Sequence, residues 1–357
     1  MPSWLLPLLI CPSCRAPLAL SADGDATDGM LCHASGAACS ERYPLIDGVP
    51  RLLRETGRAA LIAARPVWFE RTEERRSLAR AWSGTSRSSA VVEGFDYEWS
   101  AYGEAESKDH AAVFDLYFDL IEPAAYARDR VVLDAGCGGG RWAAQVARRG
   151  PRVIAMDLGQ SVDVARRNLA GYDVGVVQAD LLDTPIAAAS VDWAYSLGVL
   201  HHIDDPSRAL RAISATLRSG SVLLLYVYYA LENRGPAFRA AFRSVDALRH
   251  LTSRLPRPMV HAFSLVAAAA LYWPLGRMAL LLDAVGAHDA ADAWPLGMYR
   301  RRTFRTMRND SLDRFGTRYE RRFSRSALTT LMLDAGLRDV RVSPRPPYWH
   351  AIARRTG

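Results

Sequence analysis

The feature that most constrains this chain is a regular alternation of apolar strands and helices between residues 130 and 229. Short apolar runs typical of strands occur at 130–134, 152–157, 175–180, 191–202 and 220–229, and helical patterns lie between them. Strands that alternate with helices form a parallel sheet with helices on both faces. The pattern therefore predicts an α/β, doubly wound fold.

A glycine-rich turn follows the first of these strands. The strand ends at Asp134, and residues 135–140 read Ala-Gly-Cys-Gly-Gly-Gly. Glycines let the backbone turn tightly and approach a ligand, while the next helix points its free amides at polar groups. The second strand ends at Asp157, where a carboxylate can accept both hydroxyls of a ribose. The two features together predict a nucleotide-type ligand at the carboxyl ends of the strands.

The order of these motifs resembles that of the class I S-adenosylmethionine-dependent methyltransferases. The matching segments are DAGCGGG at 134–140, Asp157, Asp180-Leu181 and SLGVLHHIDDP at 196–206, and residues 323–343 resemble the family's last helix and strands. A nicotinamide-binding protein more usually reads G-x-G-x-x-G. The resemblance implies a Rossmann-like methyltransferase domain over residues 111–357, with S-adenosyl-L-methionine as cofactor. The residues that it places at the cofactor are Asp134, Gly136, Cys137, Gly138, Asp157, Leu158, Asp180, Leu181 and Leu197. We expect Cys137 to pack rather than to act as a nucleophile, because no activating base is evident.

Two adjacent histidines, His201 and His202, follow the fourth strand at the edge where open α/β sheets bind ligands. Methyl transfer to a hydroxyl or a protonated amine requires a base, and histidine titrates near neutral pH. One hypothesis makes His201 or His202 that general base. The alternative is that both rings close the pocket and bond the backbone.

Four of the five cysteines lie in the first forty residues. Cys11 and Cys14 form a C-x-x-C knuckle, and Cys32 and Cys39 follow with a wider gap between them. Four thiolates suffice for a closed tetrahedral zinc site. We predict a structural zinc on these cysteines, with His33 as a possible replacement for Cys32. Reduced, metal-free cysteines in a packed ribbon are the alternative.

The N-terminal segment also resembles a known family. LICPSC at 9–14 and CSERYPLIDGVPRLL at 39–53 are similar to the zinc-ribbon family that includes the small activator subunit of tRNA methyltransferases. The resemblance covers about residues 5–54 and implies a zinc-ribbon-like domain over residues 1–56.

A helical and aromatic linker is predicted between these domains, over residues 57–110. Its second part, GFDYEWSAYG, is dense in aromatic residues. Tyr97 and Trp99 are candidates to cover the cofactor or the acceptor, because large rigid rings exclude water. The alternative is that they only cap the core.

A helical insertion at about 231–320 is predicted to form a lid that builds the acceptor pocket. The candidates for contact with the acceptor are Asp310, Arg314, Tyr348 and Trp349. Polar packing of the lid is the alternative explanation for most of them.

The apolar run at 262–282 is interrupted by Pro274 and Arg277, which predicts a pair of buried or lid helices and no membrane span. Peripheral contact with a membrane surface is the alternative. The apolar opening has no basic segment before it and no cleavage site, so we expect a cytoplasmic protein rather than a secreted one. Ten arginines between Arg300 and Arg325 form either a solvated face or a site for phosphate-bearing partners.

The sequence therefore favours a methyltransferase that acts on an oxygen or nitrogen of a small molecule, saccharide or specialised metabolite. The insertion supports this hypothesis, as does the absence of an NPPY-type sequence after the fourth strand. An RNA methyltransferase that acts on rRNA or tRNA is the alternative, because the arginine-rich stretch could bind phosphates. A third possibility is a non-enzymatic zinc-ribbon adaptor with a degenerate methyltransferase domain.

Overall fold

The structure is a computed structural model that divides into two compact units. The first comprises Met1–Ala230 and Arg321–Gly357, and the second comprises Leu231–Glu320. The residues described are 1–22, 24–33, 39–84, 108–317 and 319–357, without the side chains of 108–112.

Within the described residues of the first unit, eleven strands form one sheet in the order β1-β2-β3-β4-β7-β6-β5-β8-β9-β11-β10. The strands are β1 (Leu18–Leu20), β2 (Gly29–His33), β3 (Tyr43–Ile46), β4 (Val49–Leu52), β5 (Val131–Ala135), β6 (Arg152–Asp157), β7 (Val174–Ala179), β8 (Val191–Leu197), β9 (Leu217–Tyr226), β10 (Leu337–Val342) and β11 (His350–Arg355). From β7 to β9 all neighbours are parallel, whereas β11 is antiparallel to both β9 and β10. The chain proceeds from β5 to one side through β6 and returns to the other side at β8. The predicted doubly wound sheet is confirmed, and its switch point lies between β5 and β8.

Helices connect and cover these strands. In the part of the first unit that the structure describes, the helices are α1 (Arg58–Ala64), α2 (Pro66–Glu70), α3 (Glu73–Ser83), α4 (Lys108–Phe118), α5 (Arg141–Ala147), α6 (Ser161–Asn168), α7 (Pro206–Thr216) and α13 (Arg325–Asp334). Helix α7 begins where the sequence has a strong start signal. The side chain of Asp205 accepts a hydrogen bond from the amide of Arg208 at 2.9 Å, and Pro206 occupies the first turn.

The N-terminal strands continue the main sheet. Strands β3 and β4 form a hairpin through Asp47 and Gly48, whose φ angles of 55° and 74° suit a two-residue hairpin turn. Strand β4 then pairs in parallel with β7. The N-terminal segment and the α/β core therefore share one sheet.

A buried arginine fixes this junction. Arg51 on β4 has no solvent exposure, donates to Oε1 of Gln178 on β7 at 3.0 Å and forms an ion pair with Asp163 on α6 at 2.5 Å. A buried guanidinium is costly unless it is paired in this way. Through this ion pair and this hydrogen bond, Arg51 connects the N-terminal segment to two elements of the core.

The second unit, which we call the insertion unit, is helical. Its helices are α8 (Pro236–Thr252), α9 (Arg257–Ala267), α10 (Trp273–Ala284), α11 (His288–Ala293) and α12 (Phe304–Gly316). A small core of its own includes Tyr272, Tyr299, Met307 and Phe315.

One prediction for the insertion is corrected by the structure. A π-helical turn, Ala268–Tyr272, joins α9 to α10, so Arg257–Ala284 forms one continuous helix, which we call the long helix. Pro274 does not break it, because this residue lies in the first turn after the π-helical segment. By length and composition alone, the long helix is a candidate to cross a membrane.

Candidate functional site

The glycine turn after β5 is fixed by backbone geometry that only glycine adopts readily. Gly136 has a φ of 91°, and a Cβ placed on it would lie 2.4 Å from Cγ2 of Val199. The amides of Gly136 and Cys137 both donate to the carbonyl of Met156, at 2.8 and 3.0 Å. These bonds hold the turn against the end of β6. Because these glycines carry no side chains of their own, their backbone can lie close to a ligand.

Asp134, at the end of β5, is a buried carboxyl group beside this turn. It is 2% exposed, and among the described residues its Oδ2 atom has no hydrogen-bond partner. Burial, reinforced by the negative charge of Asp157, raises the pKa of Asp134 to about 8. A buried acceptor without a partner is costly unless a ligand supplies a donor. This oxygen therefore fits the amino group that the methionine end of the expected cofactor carries.

Asp157, at the end of β6, is held by two backbone amides. Its Oδ2 atom accepts from the amide of Gly138 at 2.8 Å, and its Oδ1 atom accepts from the amide of Gly159 at 3.0 Å. Each carboxylate oxygen can accept a further hydrogen bond. The carboxylate is thus fixed in position and still able to accept ribose hydroxyls.

Asp180 follows β7 and completes a row of three carboxyl groups. Its Oδ1 atom accepts from the amide of Leu182 at 2.9 Å, and burial raises its pKa. The parallel register pairs β5 with β6 and β6 with β7, so all three acids lie at the same edge of the sheet. The structure therefore brings together the acids that the sequence places at one nucleoside site.

Four further predicted cofactor residues are apolar or nearly so. Leu181 and Leu197 are buried after β7 and at the end of β8, and Leu158, after β6, is half-buried. Cys137 is buried, and burial raises its pKa well above the usual value, so its thiol stays protonated. This protonation state agrees with a packing role.

Of the two histidines, His201 lies in an environment that does not suit a general base. The ring of His201 has no solvent exposure, stacks on Tyr228 with centroids 3.8 Å apart, and accepts at Nδ1 from the amide of Tyr228. Burial, together with His202 and Arg322, lowers the pKa of His201 well below its usual value. His202 is also buried, at 8% exposure. For His201 these contacts favour the packing alternative, and the base role remains a prediction.

The cysteine cluster at the N-terminus contains His33 in place of Cys32. The ligand atoms of Cys11, Cys14, His33 and Cys39 all lie within 4.8 Å of one another. Cys32 is outside this group, and its thiol points to the carbonyl of Ala19 at 3.7 Å. Successive side chains on a strand point to opposite faces, so β2 can present only one of its last two residues to the cluster. The choice of Cys32 as the fourth ligand is corrected to His33.

The residues expected at the acceptor lie in different parts of the chain. In the insertion unit, Asp310 accepts from the hydroxyl of Tyr299 at 2.9 Å, and Arg314 pairs with Glu320 at 2.9 Å. Tyr348 and Trp349, in the first unit, pack against Tyr229 with ring centroids 5.3 and 5.9 Å away. Tyr97 and Trp99 lie outside the described residues. For Asp310 and Arg314, the contacts observed are those of polar packing within their own unit.

One histidine–aspartate pair that the sequence does not reveal lies near Tyr348 and Trp349. His350 has no solvent exposure, and its Nε2 atom lies 2.7 Å from Oδ1 of Asp119, while Arg345 binds the other oxygen at 2.5 Å. The partners are 231 residues apart in the sequence, so no local pattern indicates the contact. The pair positions the segment that carries Tyr348 and Trp349.

Comparison with known proteins identifies the central part of the chain. Residues 133–225 match the family model described as a methyltransferase domain. The match begins in β5 and ends in β9, so it contains the glycine turn and the three acids. The N-terminal segment and the insertion unit lie outside the methyltransferase domain so defined.

Several curated methyltransferases are similar to part of this chain. A ubiquinone biosynthesis O-methyltransferase from Hahella chejuensis is 30% identical over 166 residues, which cover 44% of this chain and 65% of that protein. A malonyl-[acyl-carrier protein] O-methyltransferase from Serratia marcescens is 33% identical over 128 residues, which cover 35% of this chain and 48% of that protein. The chain thus spans just under two thirds of the first of these relatives and about half of the second.

Solved structures resemble the chain only weakly. An O-methyltransferase family protein from Burkholderia thailandensis has a TM-score of 0.41 and 18% identity, covering 70% of this chain and 59% of that one. A chain of the complex between the Haloferax volcanii Trm112 methyltransferase activator and a methyltransferase has a TM-score of 0.38 and 16% identity, covering 74% of this chain and 98% of that one. Both TM-scores lie below 0.5, so the fold rests on the strand order and register of this chain.

Proposed function

We propose that this protein is an S-adenosylmethionine-dependent methyltransferase that acts on an oxygen or nitrogen of a small molecule, saccharide or specialised metabolite. The observation that carries the proposal is the row of Asp134, Asp157 and Asp180 at the ends of three adjacent parallel strands, beside the glycine turn. The unpartnered Oδ2 atom of Asp134 adds a site for a ligand donor.

Each of these residues has a defined task in the proposal. S-adenosylmethionine, when bound, would supply a methyl group on a positively charged sulfur. Asp134 accepts a hydrogen bond from the amino group, Asp157 accepts the ribose hydroxyls, and Asp180 with Leu181 flanks the adenine. The glycines of the turn carry no side chains of their own, which lets the backbone approach the ligand closely. The protein's contribution is then mainly alignment and removal of water from the acceptor.

The curated relatives support an oxygen acceptor on a small molecule. The two described above are O-methyltransferases by name. The buried His201 has a lowered pKa and positions neighbouring groups in this proposal, so it does not remove the acceptor proton. His202 remains the candidate base of the histidine pair.

Calorimetric titration of the full chain with S-adenosylmethionine and S-adenosylhomocysteine tests the cofactor site. We expect both to bind, and Asp157→Asn to weaken binding at least about tenfold because ribose hydrogen bonds to a charged acceptor are lost. Asp339→Asn is the matched control, since Asp339 is an exposed aspartate in the same unit. Absence of binding to the wild-type chain would overturn the proposal and favour the non-enzymatic adaptor.

Transfer of label from methyl-tritiated S-adenosylmethionine into a lysate of the source organism tests the acceptor class. Label in a ribonuclease-resistant fraction of low mass or in a glycan fraction supports the proposal. Label that disappears on ribonuclease treatment would replace it with an RNA methyltransferase.

We also propose that Cys11, Cys14, His33 and Cys39 hold a structural zinc ion. Three thiolates and one imidazole form a donor set that zinc prefers in closed tetrahedral sites, and the separations of their ligand atoms fit such a site. The hydroxyl of Tyr43 lies 3.3 Å from the sulfur of Cys11, where it can orient this ligand. The ion would stabilise a segment whose strands are only three to five residues long.

A further inference from the structure

The insertion unit exposes most of the large apolar side chains found on the described surface. Sixteen such side chains are exposed in the described residues, and thirteen of them belong to Leu231–Glu320. The other three, Val67, Leu116 and Leu333, are scattered over the first unit. Single exposed apolar residues are ordinary, whereas a concentration in one small unit indicates an interaction surface.

The long helix has one buried and one exposed side. Positions buried in the structure recur about every four residues and include Val260, Ser264, Tyr272, Gly276, Ala279 and Asp283. The π-helical turn shifts the helical phase by about one residue, which keeps the same side buried in both halves. The opposite side is apolar and exposed, with Val266 at 63% and Leu281 at 61% of full exposure.

Helix α8 also exposes apolar residues on one side, and it carries exposed basic residues on a different side. Phe238, Val245 and Leu248 are exposed and follow at intervals of seven and three residues, which places them on one side of the helix. Arg239 and Arg243 are also exposed and lie four residues apart, on a different side. A helix with an apolar side and an arginine-rich side is typical of segments that lie in a membrane interface.

The charge of the chain is concentrated in the same unit. Residues 231–320 contain fourteen arginines and eight acidic residues, so this quarter of the chain carries a formal excess of six out of the total of +7. The remainder of the chain is almost neutral by the same count. An excess of arginine next to exposed apolar side chains is complementary to a surface with negative headgroups over hydrocarbon.

We propose that the insertion unit docks on the surface of an anionic lipid bilayer, with the exposed sides of the long helix and α8 in the headgroup region. The membrane lies against the unit and is not crossed, because polar contacts fix the inner side of the long helix within the unit. The hydroxyl of Ser311 donates to the carbonyl of Ser264 at 3.0 Å, and Arg277 donates to the carbonyls of Arg300 and Arg302. A crossing helix would have to give up these bonds. This inference is independent of methyl transfer.

Co-sedimentation of the full chain with lipid vesicles tests the docking surface. The probes are phosphatidylcholine vesicles with and without phosphatidylglycerol, at low and at high salt. We expect binding to the anionic vesicles at low salt and weaker binding at high salt, because exposed charges are screened.

Three variants assign the binding to its source. Leu265→Gln, Val266→Gln and Leu281→Gln combined remove apolar contact and are expected to weaken vesicle binding more than about tenfold. Arg239→Gln with Arg243→Gln is expected to weaken it about fivefold per arginine, and only at low salt. Val67→Gln with Leu333→Gln is the matched control and should leave binding unchanged, since both residues are exposed but outside the unit. Circular dichroism of each variant checks that it folds.

Three results would overturn the inference. One is equal vesicle binding by the wild type and the triple variant. Another is no vesicle binding together with a concentration-dependent dimer in sedimentation velocity that the triple variant loses, because a second copy would then cover the face. Binding to RNA without binding to lipid would contradict it in the same way.

Discussion

The N-terminal segment and the insertion unit are both additions to one α/β core, but they treat their apolar residues differently. In the N-terminal segment Leu5, Leu31 and Leu45 have no solvent exposure. In the insertion unit, residues of the same type, such as Leu265 and Leu281, stand at 44% and 61% exposure.

The difference follows from how each addition buries its surface. The N-terminal segment contributes β4 as a neighbour of β7, so its side chains enter the same core as those of the central strands. The insertion unit has a separate small core and leaves the outer sides of two helices in contact with solvent. An added strand on a sheet extends an existing core, whereas an added helical unit has to bury its apolar faces within itself or against a partner.

Loss of the proposed zinc ion is the change with the largest expected effect on the N-terminal segment. Structural zinc contributes about 10–16 kcal/mol of apparent binding free energy in small zinc domains. We expect Cys14→Ser and Cys39→Ser to lower zinc affinity more than about 100-fold, beyond the effect of changing an outer partner. Metal content after dialysis against a chelator, measured by mass spectrometry, provides the test. Cys32→Ser is the control and should keep the metal. Loss of the metal from the Cys32→Ser variant would restore Cys32 as a ligand.

Removal of the buried arginine tests the junction between the N-terminal segment and the core. Arg51→Met removes the buried partner of Asp163 and Gln178, while Asp163 keeps its ion pair with Arg65 at 2.8 Å. The free energy of unfolding should therefore fall by about 3 kcal/mol, at the low end of the cost of breaking a buried ion pair. Urea denaturation monitored by tryptophan fluorescence measures the change. Arg54→Met is the control, because the ion pair of Arg54 with Asp183 is exposed and contributes only about 0–1 kcal/mol. Equal effects of the two changes would show that the junction does not depend on Arg51.

The same substitution in the two regions compares their burial directly. Leu45→Ala should cost about 2–5 kcal/mol of unfolding free energy, because it leaves a cavity in a packed core. Leu281→Ala should change this free energy by less than about 0.5 kcal/mol, because the side chain is exposed. Thermal unfolding of both variants measures the contrast. A large loss from Leu281→Ala would mean that the outer side of the long helix is covered within the protein itself.

The strand ends of the core are a third environment, beside the N-terminal segment and the insertion unit. The change that tests them has the smallest expected effect. The pKa of Asp134 is raised to about 8 by burial, so the carboxyl group is protonated at pH 6 to 7 in the free protein. If it binds the amino group of the cofactor as an anion, affinity should rise about tenfold per pH unit from pH 6 to 7.5. Calorimetric titration across this range measures the slope, and Asp134→Asn should remove it.

The contribution of Asp134 to folding stability should fall as the pH rises, whereas the affinity for the cofactor should increase. The folded-state pKa of Asp134 lies above its unfolded value of 3.8. Its contribution to stability is therefore complete below about pH 4 and is lost as the pH rises through about 8. The difference in unfolding free energy between the ligand-free wild type and Asp134→Asn isolates the contribution of Asp134. A contribution that increases between pH 4 and 8 would contradict the raised pKa of Asp134.

The core strands and the positions of the three acids at their ends are predicted well by the sequence, because their signals are local. The strands at 130–134 and 152–157 agree with β5 and β6 within one residue, since buried parallel strands have continuous apolar runs. Asp134, Asp157 and Asp180 each follow such a run, and parallel pairing brings strand ends to one edge. No comparable signal specifies the fourth metal ligand, because Cys32 and His33 are neighbours and only the register of β2 with β1 decides which side chain faces the knuckle.

The sequence by itself determined the doubly wound sheet, the glycine turn and the row of acids, because alternation and turn chemistry act over a few residues. The tertiary structure alone decided that β4 joins β7 through Arg51, that His350 meets Asp119, and that the long helix runs through Pro274 with one side exposed. These features depend on contacts between residues far apart in the chain or on the phase of a whole helix. Pairing of that kind is set by packing of the complete fold, and a local pattern carries no information about it.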